Sequence, residues 1–342
     1  MNPSPELTTP SRFSVGELLG KLGPLIGLVF VMALFSIMAP VSFPTLSNFE
    51  LILRQTAVVG TAALGMTLII IAGGIDLSVG SAIALVTVCI GLLLPHKIQD
   101  LATGKEIITA GTLPVLAALG GILVGPLCGA ITGTLVTRLN LLPFVITLGM
   151  FGALRGTAKG LASNTMVYPV DTWLNGLLRP IREDCLWLLT PGAWMMIVLA
   201  IVVAAMLRYT RFGRHIFAIG SNEQTTRLCG INIERTKLGI YMLASLFFGL
   251  AGLLQFSYLT MGDPTTALGM ELDIIAAVVI GGASLSGGQG SVLGTLIGAL
   301  IMSMVANGCT RMGWPNWVQE IVTGCIIILA VTLDRLRQRR LS

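Results

Sequence analysis

The stretch Gly73-Gly74-Ile75-Asp76-Leu77-Ser78-Val79-Gly80, GGIDLSVG, decides how the chain is read. It separates two apolar runs, TAALGMTLIIIA at 61–72 and SAIALVTVCIGLLL at 81–94, and places one carboxylate between them. A second phrase of nearly the same wording, GGASLSGG at 281–288, again divides apolar runs. Gly73 aligns with Gly281, Gly74 with Gly282, Asp76 with Ser284, Leu77 with Leu285, Ser78 with Ser286 and Gly80 with Gly288. The offset is 208 residues throughout. Glycine permits non-helical dihedrals and close backbone approach. A break within apolar surroundings leaves N–H and C=O groups that must be buried in protein or face a water-filled cavity. Asp76 and Ser78 can cap the helix that follows, and Ser286 can do so in the second phrase. Two compatible readings follow: a tight turn with a cap, or a segment lining a pathway between duplicated halves.

Composition sets the solvent. Hydrophobic residues make up 54% of the 342 and charged residues 11%. A soluble domain carries roughly a quarter charged residues, so a water-soluble fold is set aside for a membrane one. Residues 55–75, 77–95, 107–137, 185–207, 238–262 and 274–310 contain no Asp, Glu, Lys or Arg. A spanning helix needs roughly 20 mostly apolar residues. Such runs, with 41 glycines that let membrane helices approach closely, predict an all-α polytopic membrane protein. Its ten expected spans lie near 22–40, 50–72, 78–95, 112–136, 141–162, 191–207, 238–257, 269–283, 290–309 and 317–333. The expected organisation is a cytoplasmic lead at 1–21, a transmembrane domain at 22–333 and a basic cytoplasmic tail at 334–342. The lead lacks the pattern of a secretory signal.

An even span count puts both termini on one side. The densest basic clusters, in 208–237 and 335–340, then share that side, which the positive-inside rule makes cytoplasmic. Residues 163–190 face outward, with Trp173 and Trp187 suited to the headgroup layer. Glu271 and Asp273 fall at an outer entry. No series of acidic or histidine residues marks a proton relay; His96 and His215 fall in expected loops. The six cysteines, Cys89, Cys128, Cys185, Cys229, Cys309 and Cys325, form no metal-ligand or redox spacing.

The cytoplasmic loop 208–237 reads RYTRFGRHIFAIGSNEQTTRLCGINIERTK. Ser221-Asn222-Glu223-Gln224 resembles a capping box, with Ser221 as N-cap and Gln224 three residues on. Gly230 is a natural stop. A short helix over about 222–229 is expected, with Leu228 and Thr225 or Gln224 on one face. Arginines such as Arg227 can bind anionic headgroups. A compact capped helix bearing Asn, Glu, Gln and two Thr fits a docking knob for a cytoplasmic partner better. No phosphate-cradling G-x-x-x-x-G-K-[ST] occurs, and TGKE at Thr103–Glu106 lacks its spacing. No catalytic or metal constellation appears, and nothing around the basic residues suggests nucleic-acid binding.

Three segments carry a resemblance. GMTLIIIAGGIDLSVGS (65–81), TRFGRHIFAIGSNEQTTRLCGI (210–231) and ELDIIAAVVIGGASLSGGQGSVLGTLIGALI (271–301) are similar to the permease subunits of ribose-type ABC sugar importers, over roughly 22–333. The resemblance implies a bacterial inner-membrane protein with the type II fold of the vitamin B12 importer. It also implies a dimer of permease chains, commonly identical. Separate ATP-binding subunits hold ATP and Mg, and a periplasmic sugar-binding protein delivers substrate. The loop between the sixth and seventh spans would be the coupling helix, here Ser221, Asn222, Glu223, Gln224, Arg227 and Gly230. Gly73, Gly74, Asp76, Ser78, Gly80, Gly281, Gly282, Ser284 and Ser286 would flank the path. A permease for branched-chain amino acids, an ATP-independent carrier and a membrane scaffold are the alternatives.

Overall fold

Proline opens three of the long helices, at Pro114, Pro143 and Pro191, where its missing N–H costs nothing and its fixed φ suits the first turn. The computed structural model describes residues 15–99, 106–139, 141–180 and 189–339. Among the described residues the helices are α1 (Val15–Met38), α2 (Leu46–Ile71), α3 (Val79–Leu93), α4 (Pro114–Arg138), α5 (Pro143–Leu161) and α6 (Pro191–Tyr209). There follow α7 (Arg211–Ser221), α8 (Glu223–Leu228), α9 (Ile233–Leu259), α10 (Met270–Ile280), α11 (Val292–Arg311) and α12 (Asn316–Arg339). Leaving aside α7 and α8, the helices coincide with the ten expected spans. Of these α2, α4, α6, α9 and α11 are long and apolar enough to cross a membrane by length and composition.

The chain departs from all-α at one end. β1 (His96–Gln99) pairs antiparallel with β2 (Glu106–Ile108) and with β3 (Tyr168–Pro169). These strands lie between apolar runs, where a hairpin satisfies its own backbone. Glu183, Asp184, Cys185 and Trp187 lie outside the described residues, as do 1–14 of the expected lead and 340–342 of the tail. Residues 15–21 and 334–339 are helical continuations of α1 and α12.

α2, α3, α9, α10 and α11 form the interior. Leu64, Leu68, Ile70 and Phe248 are fully buried there. α1, α4, α5, α6 and α12 turn Phe30, Leu127, Phe144, Ile201 and Ile328 outward. An apolar skin of that extent needs lipid against it.

α2 and α9 run antiparallel. Gln55 meets Tyr258 near one end, Gly65 lies against Ala244 and Phe247 at mid-length, and Gly74 reaches Tyr241 at the other end. Around this pair the packing is symmetric. α4 packs on α3 and α9 while α11 packs on α10 and α2; α5 packs on α3 while α12 packs on α10. So α2–α5 and α9–α12 are equivalent units of opposite direction, the inverted-repeat arrangement found in transporters.

This arrangement corrects the repeat expected from GGIDLSVG and GGASLSGG. The structural counterpart of 72–78, which precedes the short helix α3, is 260–269, which precedes the short helix α10. Asp76 Oδ1 accepts from Ser78 N–H (2.8 Å) and hydroxyl (2.6 Å). Asp263 Oδ1 accepts from Thr265 N–H (2.7 Å) and hydroxyl (2.7 Å). The N-termini of α3 and α10 meet, with Gly80 packed against the Ala267 carbonyl and the Glu271 carboxylate.

Candidate functional site

The two glycine-rich phrases meet at one end of the bundle. α2 closes with Gly73 at φ +80°, where an L side chain is disfavoured. Gly73 N–H bonds to the Ile70 carbonyl (2.9 Å) and Gly74 N–H to that of Ile69 (2.9 Å), the paired bonds of a Schellman end. α10 ends alike around Gly282 (φ +89°), whose N–H reaches Val279 (2.9 Å) while Ala283 reaches Val278 (3.1 Å). The Schellman glycines are thus Gly73 and Gly282, one residue out of step with the sequence alignment. The serine turn keeps the aligned register: Ser284 Oγ lies 3.3 Å from Ser286 N–H and 2.8 Å from its hydroxyl. Ser286 caps no helix. α11 starts later, capped by Ser291, whose Oγ accepts from Gly294 N–H (3.3 Å). Gly281 packs against the backbone of Gly294 and Thr295.

The Ile71 carbonyl accepts the N–H of Gly288 (2.8 Å), so the second phrase bonds to the end of the first phrase's helix. The C-terminal end of α7 seats on the same spot. A Cβ on Gly220 would collide with the Ile71 carbonyl and stand 2.6 Å from Gly288 N; one on Gly287 would stand 2.6 Å from the Gly220 carbonyl. Three backbones therefore touch with no side chain between them: the end of α2, the 284–289 loop and the end of α7.

Helix α7 extends the expectation for 208–237, which held only the shorter helix. Gly213, Ile216 and Ile219 are buried against the bundle while Arg211 and Arg214 are exposed. His215 is on this helix and His96 on β1, so neither is in a loop. Thr210 caps α7, its Oγ1 accepting from Gly213 N–H (3.0 Å).

α8 follows after one residue. Its N-cap is Asn222, not Ser221: Asn222 Oδ1 accepts from Thr225 N–H (2.9 Å), and Ser221 is the last residue of α7. The wedge of Gly220 against α2 carries α7 through Ser221 and moves the cap one residue on. Gly230 (φ +81°) ends α8 as expected, with Gly230 N–H on the Arg227 carbonyl (3.0 Å). Glu223 ties the helix to α9 through Lys237 (2.6 Å) and lies 3.7 Å from Arg227. Gln224, Thr225 and Leu228 are exposed, Leu228 at 88%, whereas Thr226 is buried. The result is a small capped knob with one uncovered apolar side chain.

A family model described as "Branched-chain amino acid transport system / permease component" matches residues 48–331. The chain belongs to this permease family. Its relatives include the ribose import permease protein RbsC of Escherichia coli (strain K12), 38% identical over 328 residues that cover 92% of this chain and 93% of that protein. RbsC of Bacillus subtilis (strain 168) is 37% identical over 333 residues, 96% of this chain and 97% of that one. The fructose import permease protein FrcC of Rhizobium meliloti is 33% identical over 317 residues, 91% and 84%. No solved structure matches the chain. As a permease of this family with several apolar helices, the chain is a multi-pass membrane protein.

Of the expected path residues, Gly74, Asp76, Ser78, Gly80, Gly281 and Ser284 are buried, whereas Gly73, Gly282 and Ser286 are exposed. Asp76 is 1% exposed, and its Oδ2 is buried with no hydrogen-bond partner among the described residues. The cavity beside Gly73 and Gly74, between Lys237 and Tyr241, is about 20 Å³. That volume admits about one water. Sequence reasoning missed the Asp263 turn, although Asp-x-Ser at 76–78 and Asp-x-Thr at 263–265 have the same spacing. It also missed Arg155, whose Nη1 donates to the carbonyls of Pro264 (3.1 Å) and Thr266 (2.6 Å) and pins the second break. Glu271, expected at an outer entry, is buried and accepts from Gly269 N–H (3.2 Å).

Proposed function

We propose that this chain is the membrane-spanning permease subunit of an ATP-driven ABC importer for a simple sugar. One observation carries the reading: α8 is an exposed, capped knob, fixed through α7 to a backbone junction with both glycine-rich breaks. A partner pushing on α8 would move the end of α2 and the end of α10 together. The relatives named for ribose and fructose import support a sugar as cargo.

In this mechanism ATP and Mg bind to separate ATPase subunits, which dock on α8 through Gln224, Thr225 and Leu228. Closure of the ATPases drives α8 and α7. Two permease copies, each with ten spans in the type II arrangement, rock so that a central path opens to one side at a time. A periplasmic binding protein delivers the sugar. The protein sits in the bacterial inner membrane with both termini cytoplasmic, in keeping with the basic residues at 208–237 and 335–340. The Asp76 and Asp263 turns, with Gly80 and Ser78, act as the pivots around which α3 and α10 swing.

The test is uptake in proteoliposomes holding the permease and its ATPase, supplied with binding protein, ATP and labelled D-ribose, D-fructose or L-leucine. Sugar accumulation that requires ATP is expected. Accumulation by the permease alone would refute the division of labour. ATP-driven leucine uptake would favour the second reading, raised by the family model's own description, of an amino acid importer.

A further inference from the structure

At the end of the bundle remote from α7 and α8, five helices line an open cavity of about 190 Å³. Six polar side chains line it: Gln55 of α2, Gln255 and Tyr258 of α9, Asp273 of α10, Ser303 of α11 and Gln319 of α12. Polar groups at membrane depth are costly, and those retained mark substrate or ion routes. Several here are already held in place. Gln55 Nε2 donates to the Tyr258 hydroxyl (3.4 Å), Gln255 Nε2 to Thr266 Oγ1 (2.8 Å), and Thr323 Oγ1 to Asp273 Oδ1 (3.3 Å). The Arg54 guanidinium stacks 5.4 Å from the centre of the Tyr258 ring. Two groups lack partners: Gln55 Oε1 and Ser303 Oγ are buried with no hydrogen bond among the described residues. Buried polar atoms left so ask for a ligand or water.

The chemistry of the set selects its occupant. Three amides each offer a donor and an acceptor, a carboxylate accepts from two adjacent hydroxyls, and two hydroxyl groups do both. Among the described residues no Lys or Arg lines the cavity; Arg54 reaches the Tyr258 ring without lining it, and the carboxyl of Asp273 disfavours an anion. Met270 and Met302 supply apolar surface for C–H faces. A hole of roughly 150 Å³ accepts a benzene; the present one is somewhat larger, the scale of one monosaccharide.

We propose that this cavity is a subsite for a single neutral sugar, the point at which the permease receives its cargo before the path opens toward the α7–α8 end. The proposal rests on the sugar-importer reading and adds the residues that would contact the sugar. It also ties occupancy to the second break, because Gln255 grips Thr266, whose carbonyl Arg155 holds.

The test uses the permease assembled with its ATPase and binding protein in proteoliposomes, with labelled D-ribose and D-fructose as probes. Gln55→Leu, Gln319→Leu and the shape-preserving Asp273→Asn are compared with the unaltered chain after size-exclusion confirms intact assembly. Each is expected to lower import by about tenfold, as for one lost buried hydrogen bond, with ATP hydrolysis unchanged. In the same complex carrying Ser303→Cys, with the native cysteines replaced, D-ribose or D-fructose is expected to slow methanethiosulfonate labelling and L-leucine is not. Unaltered import in all three variants overturns the subsite. Protection by leucine and not by sugar overturns its polyol character. If the unaltered complex imports no sugar with ATP, the importer reading fails instead, and the labelling pattern still decides the cavity.

Discussion

Gly220→Ala tests the junction most sharply. The new Cβ would run into the Ile71 carbonyl and stand 2.6 Å from Gly288 N, and both neighbours are backbone atoms that no rotamer change can move. Either α7 backs away from α2 or the 284–289 loop lifts off. The second outcome breaks the 2.8 Å bond from Gly288 N–H to the Ile71 carbonyl. Overpacking costs about 1–3 kcal/mol and a lost hydrogen bond about 1 kcal/mol, so we predict a penalty of about 2–4 kcal/mol on the contact between α7 and the bundle. At about 1.4 kcal/mol per factor of ten, that leaves the contact tens- to hundreds-fold less populated. The exposed face of α8 is unaltered, so the proposed ATPase docking is expected to survive. The expected phenotype is ATP hydrolysis near the unaltered rate, with the number of solutes imported per ATP down at least about tenfold, read in reconstituted vesicles. Gly152→Ala, with open space at its Cβ, is the control and should be neutral. Unchanged import per ATP in a well-inserted Gly220→Ala protein would refute the junction as the transmission point.

Further predictions address neighbouring parts. Gly230→Ala forces an L residue into φ +81°, a strain of about 1–2 kcal/mol; imports per ATP should fall while membrane insertion is kept, and an unaltered ratio would remove Gly230 from coupling. Asn222→Ala removes the N-cap of α8 at about 1 kcal/mol; hydrogen exchange at residues 223–228 should quicken by several-fold, and unchanged protection would show α8 held by packing alone. Asp76→Asn keeps an acceptor for the Ser78 N–H but replaces the buried carboxyl oxygen Oδ2 with an amide. Uptake should fall at normal expression, and normal uptake would reduce Asp76 to a turn former.

The positions of the helices were legible because apolar runs without charge can do little else. α8 was legible as well, from its Asn, Glu, Gln and Thr followed by glycine. Its cap was misplaced by one residue because Ser221 and Asn222 are both good caps, and tertiary contact at Gly220 decides between them. α7 was hidden by its arginines, although Phe212, Ile216 and Ile219 recur at helical spacing. The repeat misled for a different reason. Glycine-rich turns at helix ends share composition, so GGIDLSVG and GGASLSGG match without being equivalent. The inverted partner of the first break preserves only Asp-x-[Ser/Thr], because opposite orientation keeps geometry and little sequence. The cavity was out of reach: Gln55, Gln255 and Gln319 lie on three different helices, and only folding brings them together.

The two ends of the molecule are linked by the same helices. α2 carries Gln55 at the cavity and Ile71 at the junction, and at 1.5 Å per residue the intervening 16 residues span about 24 Å of continuous helix. α10 carries Asp273 at the cavity and ends at Ile280, about 10 Å away on the same rise. No loop interrupts either route. A side-chain contact can absorb a small displacement by rotating, but the junction of Ile71, Gly220 and Gly288 has only backbone to offer. A shift of α7 is therefore passed to α2 undiminished, and a helix shifted along its axis moves both ends alike. Glycine at 220, 287 and 288 is what makes that contact stiff, which is why adding one methyl group should disconnect the ends while leaving each of them intact.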